Sequence, residues 1–176
     1  LFMTISLSAQ YAITGSSWVG GSGNTDYMTG AAIKANGTIV AAGIIGDATP
    51  GGHPPILLNG AASNSEGAVL MVSPDGDSVI SVTRVADEVL DMAMDDMENI
   101  YLAAGSTGII KLNPSADSVL WTAPNGGYCR RLDVGSDGTV IGLNNTGSNA
   151  GTCHVYDSAG SELGAFGRSE EHTSEL

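Results

Sequence analysis

One pattern occurs three times in this chain, and it limits the possible folds more than any single residue does. Leu70–Gly76, Ile110–Ala116 and His154–Gly160 read LMVSPDG, IKLNPSA and HVYDSAG. Each is a short alternating segment ending in a turn, followed by a second apolar segment at Ser78–Val82, Ser118–Thr122 and Glu162–Phe166. Upstream of each lies another matched stretch, NGTIV at Asn36–Val40, ENIY at Glu98–Tyr101 and DGTVI at Asp137–Ile141. Period-two alternation between turn residues is the mark of half-buried strands. A unit of roughly forty residues cannot bury its apolar surfaces alone, so successive units must stack on one another.

The middle unit is the least decorated. Val89–Asp95 alternates Leu90, Met92 and Met94 with Asp91, Ala93 and Asp95, which predicts a strand with one buried face. Ile100–Ala104 is nearly all apolar, as a strand covered on both sides should be, and Ile109–Leu112 returns after a turn at Gly105–Gly108. Asn113–Asp117 is the third turn, where Pro114 fixes φ and Asn113 can cap the local backbone. Val119–Thr122 is the outermost strand. The last unit repeats the plan at Cys129–Val134, Thr139–Leu143, Thr152–Asp157 and Glu162–Phe166, with a longer polar turn at Asn144–Gly151. The first runs through Tyr27–Lys34 and Thr38–Ile44, and then Ile45–Gly67 is crowded with Pro50, Pro54, Pro55 and glycines. That density of breakers predicts an insertion without strands, and long loops in compact domains are often functional. The competing helix at Asp87–Asn99, with Leu90, Met94 and Met97 at helical spacing, would remove the inner strand of the middle unit.

Four short strands per unit predict an all-β fold, a partial β-propeller of about three four-stranded antiparallel blades. The boundaries fall at 17–83, 84–123 and 124–167, with the insertion at 45–67 and a polar tail at 168–176. Residues 1–16 read either as a signal remnant or as part of a preceding blade. A closed propeller needs at least four blades. Three therefore imply either further blades of a longer natural chain or copies associating to close the ring.

Charge narrows the partners. With 6 Lys+Arg against 19 Asp+Glu the net charge is −13, and Arg84, Arg130, Arg131 and Arg168 form no stripe. Nucleic acid is excluded on that ground, and anionic membrane surfaces are disfavoured. No apolar run is long enough for a membrane helix. The 25 glycines suit many tight turns.

Two cysteines do not identify a redox compartment. Folding each hairpin about its turn places Cys129 level with Asn144 and Cys153 level with Leu143. The two would flank one middle strand, roughly 9–10 Å apart, beyond the reach of about 7 Å that a disulfide allows. Buried free thiols are expected; the alternative, a bond, requires Cys129 to lie in the loop before the strand.

The segment Ser17–Ile44 carries Trp18, Gly20, Gly21, Gly23, Asp26, Gly37, Thr38, Val40 and Gly43 in order. It resembles the repeat of the secreted bacterial seven-bladed β-propeller family, in which an aromatic and a Gly-Gly-x-Gly turn precede an aspartate. Lys34 stands where that family usually has Asp, and Thr38 where it has Asn. The later units resemble generic blades of the NHL or quinoprotein sort. The resemblance implies a secreted or surface-displayed module of a longer chain, with a protein or glycan at the cell surface as partner.

Catalytic signatures are sparse. There is no HExxH, CxxC, G-x-S-x-G elbow or phosphate-binding loop. His154 sits in a predicted strand and reads as structural. His53 and Asn59 lie in the insertion, and Asn144 and Asn145 in the long polar turn, so these four are the candidate ligand-binding residues. Asp75, Asp77, Asp95, Asp96, Asp133 and Asp137 fall in turns where carboxylates and carbonyls can converge on Ca²⁺, although Asp in turns also serves local hydrogen bonding. No other cofactor is expected. The sequence predicts a non-catalytic binding or structural module; the alternative is part of a lyase or hydrolase whose active site lies on other blades.

Overall fold

A computed structural model describes residues 26–46, 52–62, 65–85, 87–124, 126–145 and 151–167. These residues form thirteen strands and no long helix: β1 Tyr27–Ile33, β2 Ile39–Ile44, β3 Ile56–Leu57, β4 Gly67–Val72, β5 Val79–Arg84, β6 Asp91–Met94, β7 Ile100–Ala104, β8 Gly108–Leu112, β9 Val119–Ala123, β10 Tyr128–Val134, β11 Val140–Asn145, β12 Gly151–Tyr156 and β13 Glu162–Gly167. They pair into three sheets, ordered β1-β2-β4-β5-β3, β6-β7-β8-β9 and β10-β11-β12-β13. The fold is all-β. Among the described residues no helix is long and apolar enough to cross a membrane.

The repeated motif makes the same turn each time. Ser73, Asn113 and Asp157 open it, their carbonyls accepting from Gly76, Ala116 and Gly160 at 2.8, 3.0 and 3.0 Å. Their side-chain oxygens accept from the far side of the turn, from Ser78 at 3.1 Å, Ser118 at 3.1 Å and Ser161 at 2.8 Å. Short polar side chains thus close the turns, for which their residue types are suited.

Packing between sheets follows the two-residue period. Val40, Ala42, Val69 and Met71 of the first sheet meet Ile100, Leu102, Ile110 and Leu112 of the second in one buried cluster. The opposite face of the second sheet, Tyr101, Ala103 and Ile109, packs with Leu132, Val140 and Tyr156 of the third. Every residue of β7 and β8 is therefore buried. Each large side chain so enclosed contributes about 1.5–3 kcal/mol. β6 lies beside β1 on one side and β10 on the other, so the first strands of the three sheets are neighbours.

Polar clamps repeat this stacking. Thr83 of the first sheet donates its hydroxyl to Ala116 O in the second sheet's outer turn at 2.6 Å, and Lys34 donates to Pro114 O in that same turn. Trp121 and Lys111 of the second sheet likewise donate to Ser158 O in the third sheet's turn, at 3.1 and 3.2 Å. The lysine at the position where the resembled family has Asp is thus an inter-sheet tie, 3.8 Å from Glu98.

Three expectations need correction. The first sheet has five strands, because Ile56–Leu57 inside the supposed strandless insertion pairs parallel with Thr83–Arg84. Pro54 and Pro55 hold the preceding backbone extended, and the edge of β5 supplies the partner. Ile45, at the start of that insertion, is core, and Arg84 anchors the segment by donating to Ile45 O at 2.5 Å and Ser65 O at 3.0 Å. Next, β6 is covered on both faces: Met92 and Met94 face the first sheet's cluster, while Ala93 packs against the third sheet's. Finally, Asn144 and Asn145 belong to β11, paired with Thr152 and Gly151, so the polar connection between β11 and β12 is shorter than its composition suggests.

The cysteines are free, with Cys129 level with Asn144 and Cys153 with Leu143. Adjacent positions on β11 face opposite ways, so the thiols also lie on opposite sides of the sheet. Burial pushes the Cys129 thiol up to about 12, which leaves it unreactive. Residues 1–16, the Trp18–Gly23 element and the 168–176 tail lie outside the described residues.

Candidate functional site

The first strands of the outer sheets carry β-bulges at matching places. In β1, Met28 pairs with Gly43 and Gly30 with Ala42, leaving Thr29 outside the ladder. In β10, Cys129 pairs with Asn144 and Arg131 with Leu143, leaving Arg130 outside. The equivalent residue of the second sheet is Leu90, just ahead of β6, whose N–H donates to Ala103 O at 2.9 Å. Bulges re-aim side chains and concentrate near functional sites. Gly43 permits the first bulge, since a Cβ there would come within 2.2 Å of Tyr27 O. Gly30 permits the approach of β1 to β6, since its Cβ would lie 2.9 Å from that of Met92.

Thr29, Leu90 and Arg130 all line one cavity of about 640 Å³. That lies within the range of roughly 300–1,000 Å³ typical of small-molecule sites. Tyr27, Met28 and Leu143 supply further apolar wall, and Arg131, Asn144 and Gly151 complete it. Because of the bulge, two consecutive arginines that would otherwise point to opposite faces both reach this space.

These arginines dominate the local electrostatics. Lys34 and Lys111 are buried in inter-sheet contacts and Arg84 is buried against the segment after β2, so among the described residues Arg130 and Arg131 are the exposed cations. Arg131 donates to Leu90 O at 3.1 Å and lies 4.0 Å from Asp91, whose other oxygen accepts from Leu132 N at 3.1 Å. The guanidinium of Arg130 lies over the Tyr128 ring, 5.1 Å from its centroid, and makes no ion pair among the described residues. Desolvation, then the charges of Asp87 and Glu66, raise the carboxyl of nearby Glu88, while Arg130 pulls it down.

The polar groups on the wall are mostly committed. Thr29 Oγ1 lies 3.2 Å from Ala42 O and 3.1 Å from Val89 O, and donates its single proton to one or the other. Asn144 accepts from Thr152 N at 3.0 Å, and its amide faces His154 Nε2 at 3.3 Å. His154 Nδ1 in turn lies 2.8 Å from Glu162. An acceptor at Nε2 and a donor at Nδ1 satisfy the whole chain, which fits a structural histidine.

Of the four expected ligand-binding residues, only Asn144 lines this cavity. Asn145 is next to it in β11. His53 is half-buried ahead of β3, and Asn59 is exposed in the turn after it, at φ 51°. The acidic candidates remain dispersed. Asp75 accepts from Ser73 Oγ and Asp77 N, Asp133 from Val134 N at 2.9 Å, and Asp137 from Thr139 N at 2.9 Å. Asp77 and Asp96 are exposed in turns. Asp95 is buried and accepts from Asn99 and, at 2.9 Å, from Tyr101 OH. Desolvation pushes its carboxyl up, but the hydrogen bonds from Asn99 and Tyr101 and the charge of Lys111 outweigh it and hold it below the ordinary value. Among the described residues no three His, Cys, Asp or Glu side chains come together as a metal site.

Sequence reading did not single out Arg130 and Arg131 as a site. The one available signal was a cationic doublet in a strongly acidic chain; the bulge that makes it a site has no sequence signature here.

No protein-family model matches the chain, and no curated protein does. Among solved structures, the chain is similar to a Bacteroides caccae protein of unknown function, with 12% identity and a TM-score of 0.46 over 80% of this chain and 67% of the other.

Proposed function

We propose that the chain is part of a β-propeller and serves as a non-catalytic binding module of a secreted or surface protein, with its ligand in the cavity between β1, β6 and β10. The observation that carries this reading is the convergence of Thr29, Leu90 and Arg130, the same position of three successive sheets, on one cavity. In a radial array of blades the first strands line the axis, which is where such convergence belongs. The secreted location rests on the resemblance of residues 17–44. Further blades, from a longer chain or a second copy, would seat on the free face of the third sheet. A fragment screen by NMR on the labelled chain tests the site: perturbations should cluster at residues 27–29, 90 and 130–131. Hits confined to residues 52–62 would move the site to the insertion and overturn this reading.

A further inference from the structure

We infer that this cavity selects a carboxylate attached to an apolar body. The inference rests on the binding-site reading above and adds the ligand class. Three features of the wall lead to it. The exposed cations of the described residues are gathered here, in a protein whose net charge of −13 repels anions elsewhere. Guanidinium groups are planar forks that match a carboxylate. Arg131 is partly neutralised by Asp91 at 4.0 Å, whereas Arg130 lies over the Tyr128 ring, feels the charge of Glu88 and makes no ion pair within 4 Å among the described residues. Arg130 is therefore the anion-reading group, and it favours a single negative charge over a dianion in this acidic surround. The rest of the accessible wall is apolar: Tyr27, Met28, Leu90 and Leu143. The polar side chains of Thr29 and Asn144 already spend their hydrogen bonds within the protein, so a hydroxyl-rich ligand finds little to bond. A monoanionic acid with a hydrophobic body meets both the charge and the wall.

Two sources share that chemistry, a free organic acid and the carboxy-terminal residue of a peptide ending in Leu. The test uses the full chain and four probes: phenylvalerate, its uncharged counterpart phenylpentanol, a short peptide ending in Leu with a free carboxylate, and the same peptide amidated. Chemical-shift titration should show at least one acid binding, with perturbations at Thr29, Leu90 and Arg130, and the tighter acid identifies the source. R130Q should weaken that acid about tenfold or more, and R130K should restore part of the loss. Arg130 is exposed and outside the ladder, so an unchanged amide spectrum for β7 and β8 certifies the fold of both variants. Equal binding of acids and neutral counterparts, or an R130Q variant that binds the acid as before, overturns the carboxylate assignment but leaves the cavity as a binding site. If no probe perturbs the cavity residues, the carboxylate assignment and the cavity site fall together.

Discussion

The second and third sheets share one strand plan and differ in what covers them. In the second sheet both central strands are buried throughout, because a sheet lies on either face. In the third, the face turned away from the second sheet carries Ile141, Leu143 and Phe166 at 43, 39 and 59% exposure, and every residue of β13 is exposed. The register makes the comparison exact in position: Ile141, Leu143, Val155 and Gly164 occupy the places of Tyr101, Ala103, Lys111 and Trp121. The local sequence thus suffices to make a four-stranded meander, while burial depends on the neighbour. Repeat architectures behave this way, with much of their stability residing in the interfaces.

The largest expected effect is at the centre of the covered sheet. Leu102 is fully buried between the first and second sheets, and Leu102→Ala should cost about 3 kcal/mol in urea denaturation. A loss no larger than that of an exposed-face variant would break the comparison. Tyr101→Phe should cost about 2 kcal/mol, since it removes a hydrogen bond to the buried, charged Asp95.

The same carboxylate gives a pH signature. Its lowered folded pKa contributes stability that is complete above the unfolded carboxyl value, about 3.9, and is lost as pH falls through the folded value. Acid denaturation of Asp95→Asn should therefore show a shallower loss of stability below that range than the parent; an unchanged slope would discard the assignment. Trp121→Phe should cost about 1 kcal/mol, for the bond to Ser158 O across the second interface. Smallest of all, Phe166→Ser on the open face should change the melting free energy by less than about 0.5 kcal/mol. A much larger effect that grows with protein concentration would show that face to be already covered by a second copy.

Much of this was legible beforehand. The turns opened by Asn113 and Asp157 set strand ends to within a residue or two, and the apolar run Ile100–Ala104 announced its double coverage. The hairpin count placed Cys129 opposite Asn144, where it lies, but the turn register that pairs Val134 with Val140 would alone set it against Asn145, and the bulge at Arg130 supplies the one-residue shift. What escaped were features set by tertiary context. β3 is two residues long and exists because β5 has an edge beside a Pro-extended segment. The bulges at Thr29 and Arg130 interrupt alternation by one residue, which in a single sequence is indistinguishable from an imperfect pattern. Since those bulges build the cavity, the site stayed hidden while the sheets did not.

The clamps at the two occupied interfaces have a further consequence. Each reaches from one sheet into the outer turn of the next, through Thr83 and Lys34, then through Trp121 and Lys111. Where the third sheet would offer the counterparts of Lys111 and Trp121 it has Val155 and Gly164, neither of which can donate from a side chain. Anything seated against it would be held by greasy contact without a latch. In a closed assembly this would be the seam, the joint that opens first under load and the natural place for a subunit to slip in or out.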